Sequence, residues 1–461
     1  MLVPGLAAGH QATAAAGIAV LEDGGSAADA AVAASLASCV AETVMTGLLG
    51  GGHAIYWDAD AGRAWNLDCF VAAPGLDAEP REVELVHLDV PFGAELVHYA
   101  VGPASCGVPG LPAGLEALWR RFGRLPWPRV VEPALRLAGD GVELPPAHAS
   151  CLAMLAPVMT MDAGARIYAP GGKLLEAGDR LDQPGLVAAL ETVRDEGAAS
   201  VYRGSLAEAL LGLSDERGGL VTRPDLNAYR ARWLEPVEVS YRDTRVLSRE
   251  GLSGVPAALA RLPRLRGLGE PERLGALLDA VEGRATDGHT TNLVAVDRDG
   301  NACVLTTSLG LGSGDFLPGL DLHLNSMLGE VDLVRGPVDR GERMESMMAP
   351  TLAVAGDGPL LAVGAAGGTR LRTALVGVTA AVLDEGLAEQ AAVDRPRAHR
   401  AGQVVNAEPG VDEAALEALE ETGHEVRRWP DRHHYFGGVS LVTRSGAAGD
   451  PRRSGAARAL G

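Results

Sequence analysis

The segment GHTTNLVAVDRDGNA, residues 288–302, sets two adjacent threonines at the start of a predicted β-hairpin. Apolar residues alternate over 293–296, and the Asp299-Gly300 pair supplies a turn before the alternation resumes. β-Branched side chains suit strands, so Thr290 and Thr291 are ordinary residues for the beginning of one. Their position directly after a flexible Gly-His pair also permits a chemical interpretation.

Cleavage of the peptide bond between His289 and Thr290 would give Thr290 a free α-amine beside its own hydroxyl. An α-amine has a pKa of roughly 7.7–8.0, against about 10.4 for a lysine side chain, so it acts as a base near neutral pH. One residue then supplies both nucleophile and base, which is the N-terminal-threonine form of covalent catalysis. From these residues alone, a strand start and a self-cleaving nucleophile both remain open.

A second candidate element is the segment GAAGGTRLRTALVGVTAAVL, residues 364–383, in which two glycines precede a predicted helix. The first N–H groups of a helix have no partner within it, and the helix dipole makes them good donors to an anion. Gly367 and Gly368 are therefore candidates to stabilise a reacting oxyanion. An ordinary strand-to-helix turn explains the same residues, and the local sequence alone favours that interpretation.

Local patterns also predict much of the secondary structure. Alanine-rich helices flank Asp23-Gly24-Gly25, and Ser26 with Asp29 forms a predicted capping box at the second helix. The loop-like composition near 251–269 predicts a boundary there. The other predicted elements are a hairpin within 47–68, mostly helical structure over 110–240, strands after 290, and helices near 369–385 and 411–423.

The composition limits the class of protein. A chain of 461 residues with a net charge of −20 is a poor match for nucleic acid or an anionic membrane surface, since both attract basic patches. No basic residue precedes Arg63, and the longest apolar run, near 373–383, is too short to span a membrane. Five widely spaced cysteines and eleven histidines without ligand spacing predict reduced thiols and no metal site. We therefore expect a cytoplasmic enzyme.

Nine motifs follow one another along nearly the whole chain. They are GGSAADAAVAASLA (24–37), GLLGGGH (47–53), VPGLPAGLEALWRRFGRLPW (108–127), GGLVTRPDLNAYRARWLEPV (218–237), TTNLVAVDRDGNA (290–302), LNSMLGE (324–330), SMMAPT (346–351), GAAGGTR (364–370) and GDPRR (449–453). In this order they resemble the γ-glutamyltransferase (γ-glutamyl transpeptidase) family, the first four its large subunit and the last five its small subunit. Several are long and would not coincide by chance.

The resemblance implies a fold and a division of the chain. The family has the N-terminal nucleophile hydrolase fold, an α/β (α+β) four-layer αββα sandwich, and one precursor cleaves itself. Cleavage between His289 and Thr290 would give a large (α) subunit, 1–289, and a small (β) subunit, 290–461. The two subunits are expected to stay associated as one composite catalytic domain.

The resemblance also implies roles for individual residues. Thr290 corresponds to the nucleophile and new N-terminus, and Ser308 falls where the family keeps a second hydroxyl close to it. Gly367 and Gly368 correspond to the oxyanion donors. A small-molecule substrate and no cofactor are expected.

Substrate recognition departs from the family pattern. The family binds the γ-glutamyl α-carboxylate with an arginine, and Phe70 stands in that place within LDCFVAAPG. Of the residues that bind the substrate's α-amine, only Glu330 remains as a candidate. Ser346 matches one of two adjacent carboxylate-binding serines, and Met347 replaces the other. A looser and more apolar pocket is therefore predicted.

Several functions fit these observations. The first is an N-terminal-threonine hydrolase or acyltransferase that acts on an amide-type carbonyl in a substrate other than glutathione. The second is a conventional γ-glutamyl hydrolase or transpeptidase, in which Arg343 or Arg370 replaces the missing arginine. A C–C bond hydrolase of antibiotic biosynthesis is a special case of the first. A catalytically silent binding relative would not need to keep Thr290, Ser308 and both glycines.

Overall fold

The structure is a computed structural model that describes residues 1–79, 82–92, 95–281, 290–330, 333, 338–356 and 358–461. Its strands are β1 (Gly5–Ala8), β2 (Gly51–Asp58), β3 (Arg63–Cys69), β4 (Val86–Phe92), β5 (Glu95–Val101), β6 (Val142–Glu143), β7 (Arg180–Leu181), β8 (Arg232–Leu234), β9 (Val237–Tyr241), β10 (Thr244–Ser248), β11 (Thr291–Val296), β12 (Ala302–Ser308), β13 (Thr351–Ala355), β14 (Gly358–Ala366), β15 (Ala398–Ala401), β16 (Val404–Ala407), β17 (Glu425–Arg428), β18 (Gly438–Thr443), β19 (Ala447–Gly449) and β20 (Ala456–Ala459). Its α-helices are α1 (Gln11–Glu22), α2 (Ala27–Ala41), α3 (Leu111–Phe122), α4 (Trp127–Asp140), α5 (Pro146–Met159), α6 (Gly164–Tyr168), α7 (Pro184–Glu196), α8 (Ala199–Arg203), α9 (Ser205–Arg217), α10 (Arg223–Ala228), α11 (Val255–Arg261), α12 (Glu270–Ala280), α13 (Arg370–Ala380), α14 (Glu389–Asp394) and α15 (Glu413–Glu421).

Two antiparallel sheets form the centre of the molecule. The first has the strand order β20-β1-β11-β12-β2-β3-β8, and the second has the order β19-β18-β14-β13-β10-β9. The predicted hairpin after Thr290 lies in the middle of the first sheet, where β11 pairs with β12 from Thr291–Thr307 to Val296–Ala302. Strands β1 and β2 flank this hairpin on its two sides. The hairpin is therefore held by ladders of backbone hydrogen bonds on both edges.

Side-chain alternation along β11 shows how the layers are arranged. Leu293 and Ala295 pack into the apolar cluster formed with helices α1, α2 and α4. Val294 and Val296 point to the opposite face and pack against residues of the second sheet, such as Val442. Because successive side chains of a strand alternate between faces, one face meets helices and the other meets a sheet. The predicted four-layer αββα sandwich is confirmed.

Helix α2 forms the centre of the first helical layer because most of its residues are small. All fifteen of its residues are buried. The predicted capping box is present: the Ser26 hydroxyl accepts from the Asp29 N–H at 3.1 Å, and the Asp29 carboxylate accepts from the Ser26 N–H at 2.9 Å. The helix ends at Ala41, so that the next residue, Glu42, enters the interior beneath β11.

The second helical layer contains a helix inside the segment 251–269, for which the composition predicts a loop; the loop prediction is wrong for 255–261 and holds for the irregular residues on either side. Helix α11 lies within 251–269 and carries Pro256 in its first turn, where the missing N–H has no helical partner to lose. Val255 and Leu259 pack with α13 in the apolar cluster over the second sheet. The helices predicted near 369–385 and 411–423 are present as α13 and α15. Among the described helices we find none with the length and apolar character needed to cross a bilayer.

Candidate active site

Strand alternation brings the two predicted hydroxyl residues together between the sheets. Thr290 directly precedes β11, and Ser308 ends β12. The Thr291–Thr307 pairing places Thr290 opposite Ser308, on the face that Val294 shows to the second sheet. Both residues are buried and line one small cleft. The predicted cleavage site is described on one side only, since His289 lies outside the described residues.

The cleft, together with its open mouth, offers about 310 Å³ of space and brings together seven of the residues predicted from the sequence. These are Thr290, Ser308, Gly368, Phe70, Glu330, Ser346 and Met347. The other described lining residues are apolar and were not predicted: Met327, Leu333, Met348 and Leu371. Gly367 adjoins Gly368 but does not line the cleft. Residues that the sequence predicts to react and residues that it predicts to bind the substrate thus share one space.

Gly367 and Gly368 turn the chain from β14 into α13. Their φ angles of 128° and 58° lie in the left-handed region that favours glycine. A Cβ on Gly367 would come within 2.8 Å of the Gly437 Cα, so the close packing also excludes a side chain there. Among the described residues, neither backbone N–H has a hydrogen-bond acceptor. Two backbone donors at a helix start can therefore bind an oxyanion.

Phe70 gives the recognition end of the cleft an apolar wall. Its side chain is only 1% exposed and packs in a cluster with Met327, Leu333 and Met348. Its ring stacks on the buried imidazole of His53 at a centroid distance of 5.5 Å. Burial lowers the pKa of His53 well below its usual value, so this neighbour adds no positive charge near neutral pH.

The two arginines suggested as replacements for the family's carboxylate-binding arginine, Arg343 and Arg370, bind other groups of the protein. Arg343 donates through Nε to the Asp68 carboxylate at 3.2 Å and through Nη1 to the Phe70 carbonyl at 2.9 Å. Arg370 donates through Nε to the Tyr435 carbonyl at 3.2 Å, and its guanidinium lies over the Tyr435 ring. Neither lines the cleft, and no arginine stands among the described lining residues. The described part of the pocket therefore lacks a charged partner for a carboxylate.

Two polar groups remain at this end of the cleft. The Ser346 hydroxyl accepts from the Met348 N–H at 3.2 Å, while the Ser346 carbonyl accepts from Arg249 Nη1 at 2.9 Å. The buried Glu330 carboxyl lies against Gly310, whose φ is 70°, and a Cβ at Gly310 would be 2.5 Å from Glu330 Oε1. Glu330 thus brings a carboxyl to the cleft beside Gly310, which is two residues from Ser308 along the chain.

Glu42, which no sequence motif singled out, lies on the opposite side of β11 from the cleft. Its carboxyl is 1% exposed and accepts from the Thr291 hydroxyl at 2.5 Å and the Thr13 hydroxyl at 2.7 Å. Burial raises the pKa of Glu42 to about 7, although both hydroxyls and Arg453 oppose that shift. A lone carboxylate in the otherwise uncharged run before Gly47 is the only signal that marks it in the sequence.

Arg453 is the second residue that the sequence analysis left without a role. It belongs to the GDPRR motif, and its Nη1 donates to the carbonyl of Thr290 at 3.2 Å. Its Nη2 donates to the His434 carbonyl at 3.4 Å. Burial lowers the pKa of this guanidinium, and the carboxylates of Asp450 and Glu42 oppose the shift. A buried cation therefore fixes the backbone of Thr290.

The chain is similar to known proteins over nearly its whole length. A family model described as gamma-glutamyltranspeptidase matches residues 13–276 and 276–460. The chain is 27% identical to the Acylase ACY 1 proenzyme of Pseudomonas sp. (strain V22), over 94% of this chain and 88% of that protein. It is 24% identical to the Glutathione hydrolase proenzyme of Bacillus subtilis (strain 168), over 96% and 90%. Among solved structures, the cephalosporin acylase from Bacillus halodurans has the same fold, with a TM-score of 0.85 at 24% identity over 100% of this chain and 96% of that chain.

The raised pKa of Glu42 predicts a pH-dependent contribution to stability. The pKa is near 4.5 in the unfolded chain and about 7 in the folded protein, so the folded state binds the proton more tightly. The resulting stabilisation, about 3 kcal/mol, is complete below pH 4.5 and is lost as the pH rises to about 7. Glu42→Gln cannot ionise and should not show this loss. The melting temperature of the wild type minus that of Glu42→Gln should be larger at about pH 5 than at pH 8. An equal difference at both pH values would contradict the prediction.

Proposed function

Because the chain belongs to the gamma-glutamyltranspeptidase family, we propose that it is a self-processing N-terminal-threonine hydrolase and acyltransferase. The observation that carries the proposal is the meeting of Thr290, Ser308 and Gly368 in one buried cleft between the sheets. Both relatives compared above are named as proenzymes, which supports a precursor that is cut. The proposed products are a large subunit, 1–289, and a small subunit, 290–461.

The proposed reaction uses Thr290 as nucleophile and base. The freed α-amine accepts the hydroxyl proton while the Thr290 oxygen bonds to the substrate carbonyl carbon. The N–H groups of Gly367 and Gly368 donate to the oxyanion that forms. The C–N bond then breaks, and the leaving amine takes the proton from the Thr290 amine. Water repeats the attack to release the acid, or a second amine takes the acyl group; the Ser308 hydroxyl, which lines the same cleft, would orient these partners.

The proposed substrate carries an apolar acyl group rather than a γ-glutamyl group. The cleft wall is formed by Phe70 and methionine and leucine side chains, and the described lining offers no cation for an α-carboxylate. Glu330 can accept from an amine or amide of the substrate. The acylase relative favours this choice over the glutathione-type alternative. No observation favours the C–C bond hydrolase or the silent binding relative.

We place the enzyme in the cytoplasm as part of the same proposal. The five cysteines are all buried free thiols. Free thiols suit a reducing compartment, because an oxidising one favours disulfides. The proposed partners are the small-molecule substrate and the two subunits of the cleaved chain.

Self-cleavage before Thr290 should convert the purified 47.5 kDa chain into fragments of about 30 and 18 kDa, in proportion to their lengths. The mechanism needs the freed amine as base, so mass spectrometry should find Thr290 at a new N-terminus. Thr290→Ala should remain one full-length chain, whereas Thr291→Ser, one residue further on, keeps the nucleophile and the neighbouring hydroxyl and should still be cut. Enzyme that is active while uncut would refute the mechanism.

Replacing Gly368 should abolish catalysis through the backbone. At a φ of 58° a β-branched residue is strained, and Gly368 lines the same cleft as Thr290. Because one lost oxyanion donor costs roughly 10²–10³ in rate, Gly368→Val should lower kcat by at least that factor. Gly377→Val, within the helix α13 that follows, is the control; a Cβ there would meet no atom within 4 Å outside its own stretch of helix, so this variant should stay near wild type. Normal turnover by Gly368→Val would return the glycine pair to an ordinary turn.

Simple γ-glutamyl compounds should be poor substrates of the processed enzyme. A carboxylate that leaves water needs a charged and preferably bidentate partner, which Phe70 and Met347 cannot supply. Each charge-assisted hydrogen bond contributes roughly 1.5–3 kcal/mol, so kcat/KM should be at least about tenfold lower for γ-glutamyl-p-nitroanilide than for butyryl-p-nitroanilide.

A positive charge introduced at position 70 should reverse this substrate preference. Phe70→Arg should raise kcat/KM for γ-glutamyl-p-nitroanilide and lower it for the butyryl compound, provided that its melting temperature shows a folded protein. Efficient wild-type turnover of the γ-glutamyl compound would show that the enzyme is of the conventional glutathione type.

A further inference from the structure

Two hydroxyls fix one buried carboxyl behind the proposed nucleophile. Thr13 donates to Glu42 Oε1 at 2.7 Å, and Thr291 donates to Glu42 Oε2 at 2.5 Å. The space around the second contact is closed, because a Cβ on Gly9 would come within 2.6 Å of Glu42 Oε2 and 2.7 Å of Thr291 Oγ1. The carboxyl is therefore held at both oxygens and has little room to rotate.

This contact would join the two proposed subunits. Thr13 and Glu42 lie in the segment 1–289, whereas Thr291 lies in the segment 290–461. After cleavage, Thr291 would be the second residue of a new chain, and chain ends fray unless they are tied down. The backbone ladder of β11 begins only at Thr291, and Arg453 holds the Thr290 carbonyl. The bond to Glu42 thus ties the side chain next to the new terminus to the large subunit.

We propose that Glu42 is a positioning residue for Thr290: by holding Thr291 on the helix side of β11, it directs Thr290 into the cleft on the other side. The inference rests on the proposed function, since it requires Thr290 to be the reacting residue. A displacement of about 1 Å from attack geometry costs roughly 10²-fold in rate. Glu42 does not line the cleft, so loss of its contact should lower kcat and leave KM nearly unchanged.

Two matched variants separate positioning from stability. Thr291→Val and Thr13→Val each remove one hydroxyl from the same carboxyl, but only Thr291 adjoins the nucleophile. With p-nitrophenyl butyrate as probe and the processed enzyme, Thr291→Val should lower kcat by roughly ten- to a hundredfold with KM within about twofold. Thr13→Val should lower the melting temperature by about as much as Thr291→Val does, because each variant removes one hydrogen bond to the same carboxyl. Its kcat should stay within about threefold of the wild-type value. Thr291→Ser keeps the hydroxyl and should restore most of the wild-type kcat.

The outcomes distinguish this inference from the proposed function. If the Thr290→Ala variant keeps the esterase activity of the wild type, the proposed function is wrong, whatever the Thr291 and Thr13 variants show. An active wild type in which Thr291→Val keeps full kcat, or in which Thr13→Val loses as much kcat as Thr291→Val, would overturn the role of Glu42. A folded Thr291→Val chain that stays uncut, while Thr13→Val is cut, supports it, because the same Thr290 geometry serves cleavage and turnover.

Discussion

Consecutive side chains of a β-strand must point to opposite faces, and this constraint divides the Thr290-Thr291 pair between two environments. Thr291 donates to Glu42 on the helix side of the sheet. Thr290 faces Ser308 and the cleft on the side of the second sheet. A shift of one residue in the pairing of β11 would exchange the two threonines and turn every apolar residue of that strand to the wrong layer. The apolar cores on both sides of the strand therefore fix which threonine reaches the cleft.

The arginines near the cleft are bound to protein groups and do not line the cleft. Their guanidinium groups donate to backbone carbonyls and carboxylates. Arg343 donates to the Phe70 carbonyl, and Arg453 donates to the Thr290 carbonyl. A buried guanidinium needs such partners, because an unpaired buried charge is costly. These cations support the backbone of the site, and the described lining of the cleft is left largely apolar. An uncharged acyl group fits that surface better than a carboxylate.

Local patterns predicted individual strands, helices and candidate site residues, whereas the four layers came from the resemblance to the family. Alternation after Thr290, the capping box at Ser26 and the glycine pair at 367–368 each leave a signal within a few residues, and ordered motifs supplied the family. Glu42 and Arg453 escaped prediction because their importance depends on contacts far along the chain, with Thr291 and Thr290 respectively. Helix α11 was missed because the same glycine and proline that indicate a loop also begin helices. The sequence could not show which groups Arg343 and Arg370 bind, since a guanidinium group binds a substrate carboxylate or a backbone carbonyl equally well.

The central claim is that Thr290 carries the acyl group during the reaction. Processed enzyme can be mixed with p-nitrophenyl butyrate, quenched in acid during turnover and digested for mass spectrometry. If Thr290 carries the acyl group, one butyryl group should be found on the N-terminal peptide of the small subunit, located on Thr290, and no label in the Thr290→Ala chain. A butyryl group on Ser308 or on a cysteine, with Thr290 unmodified, would contradict it.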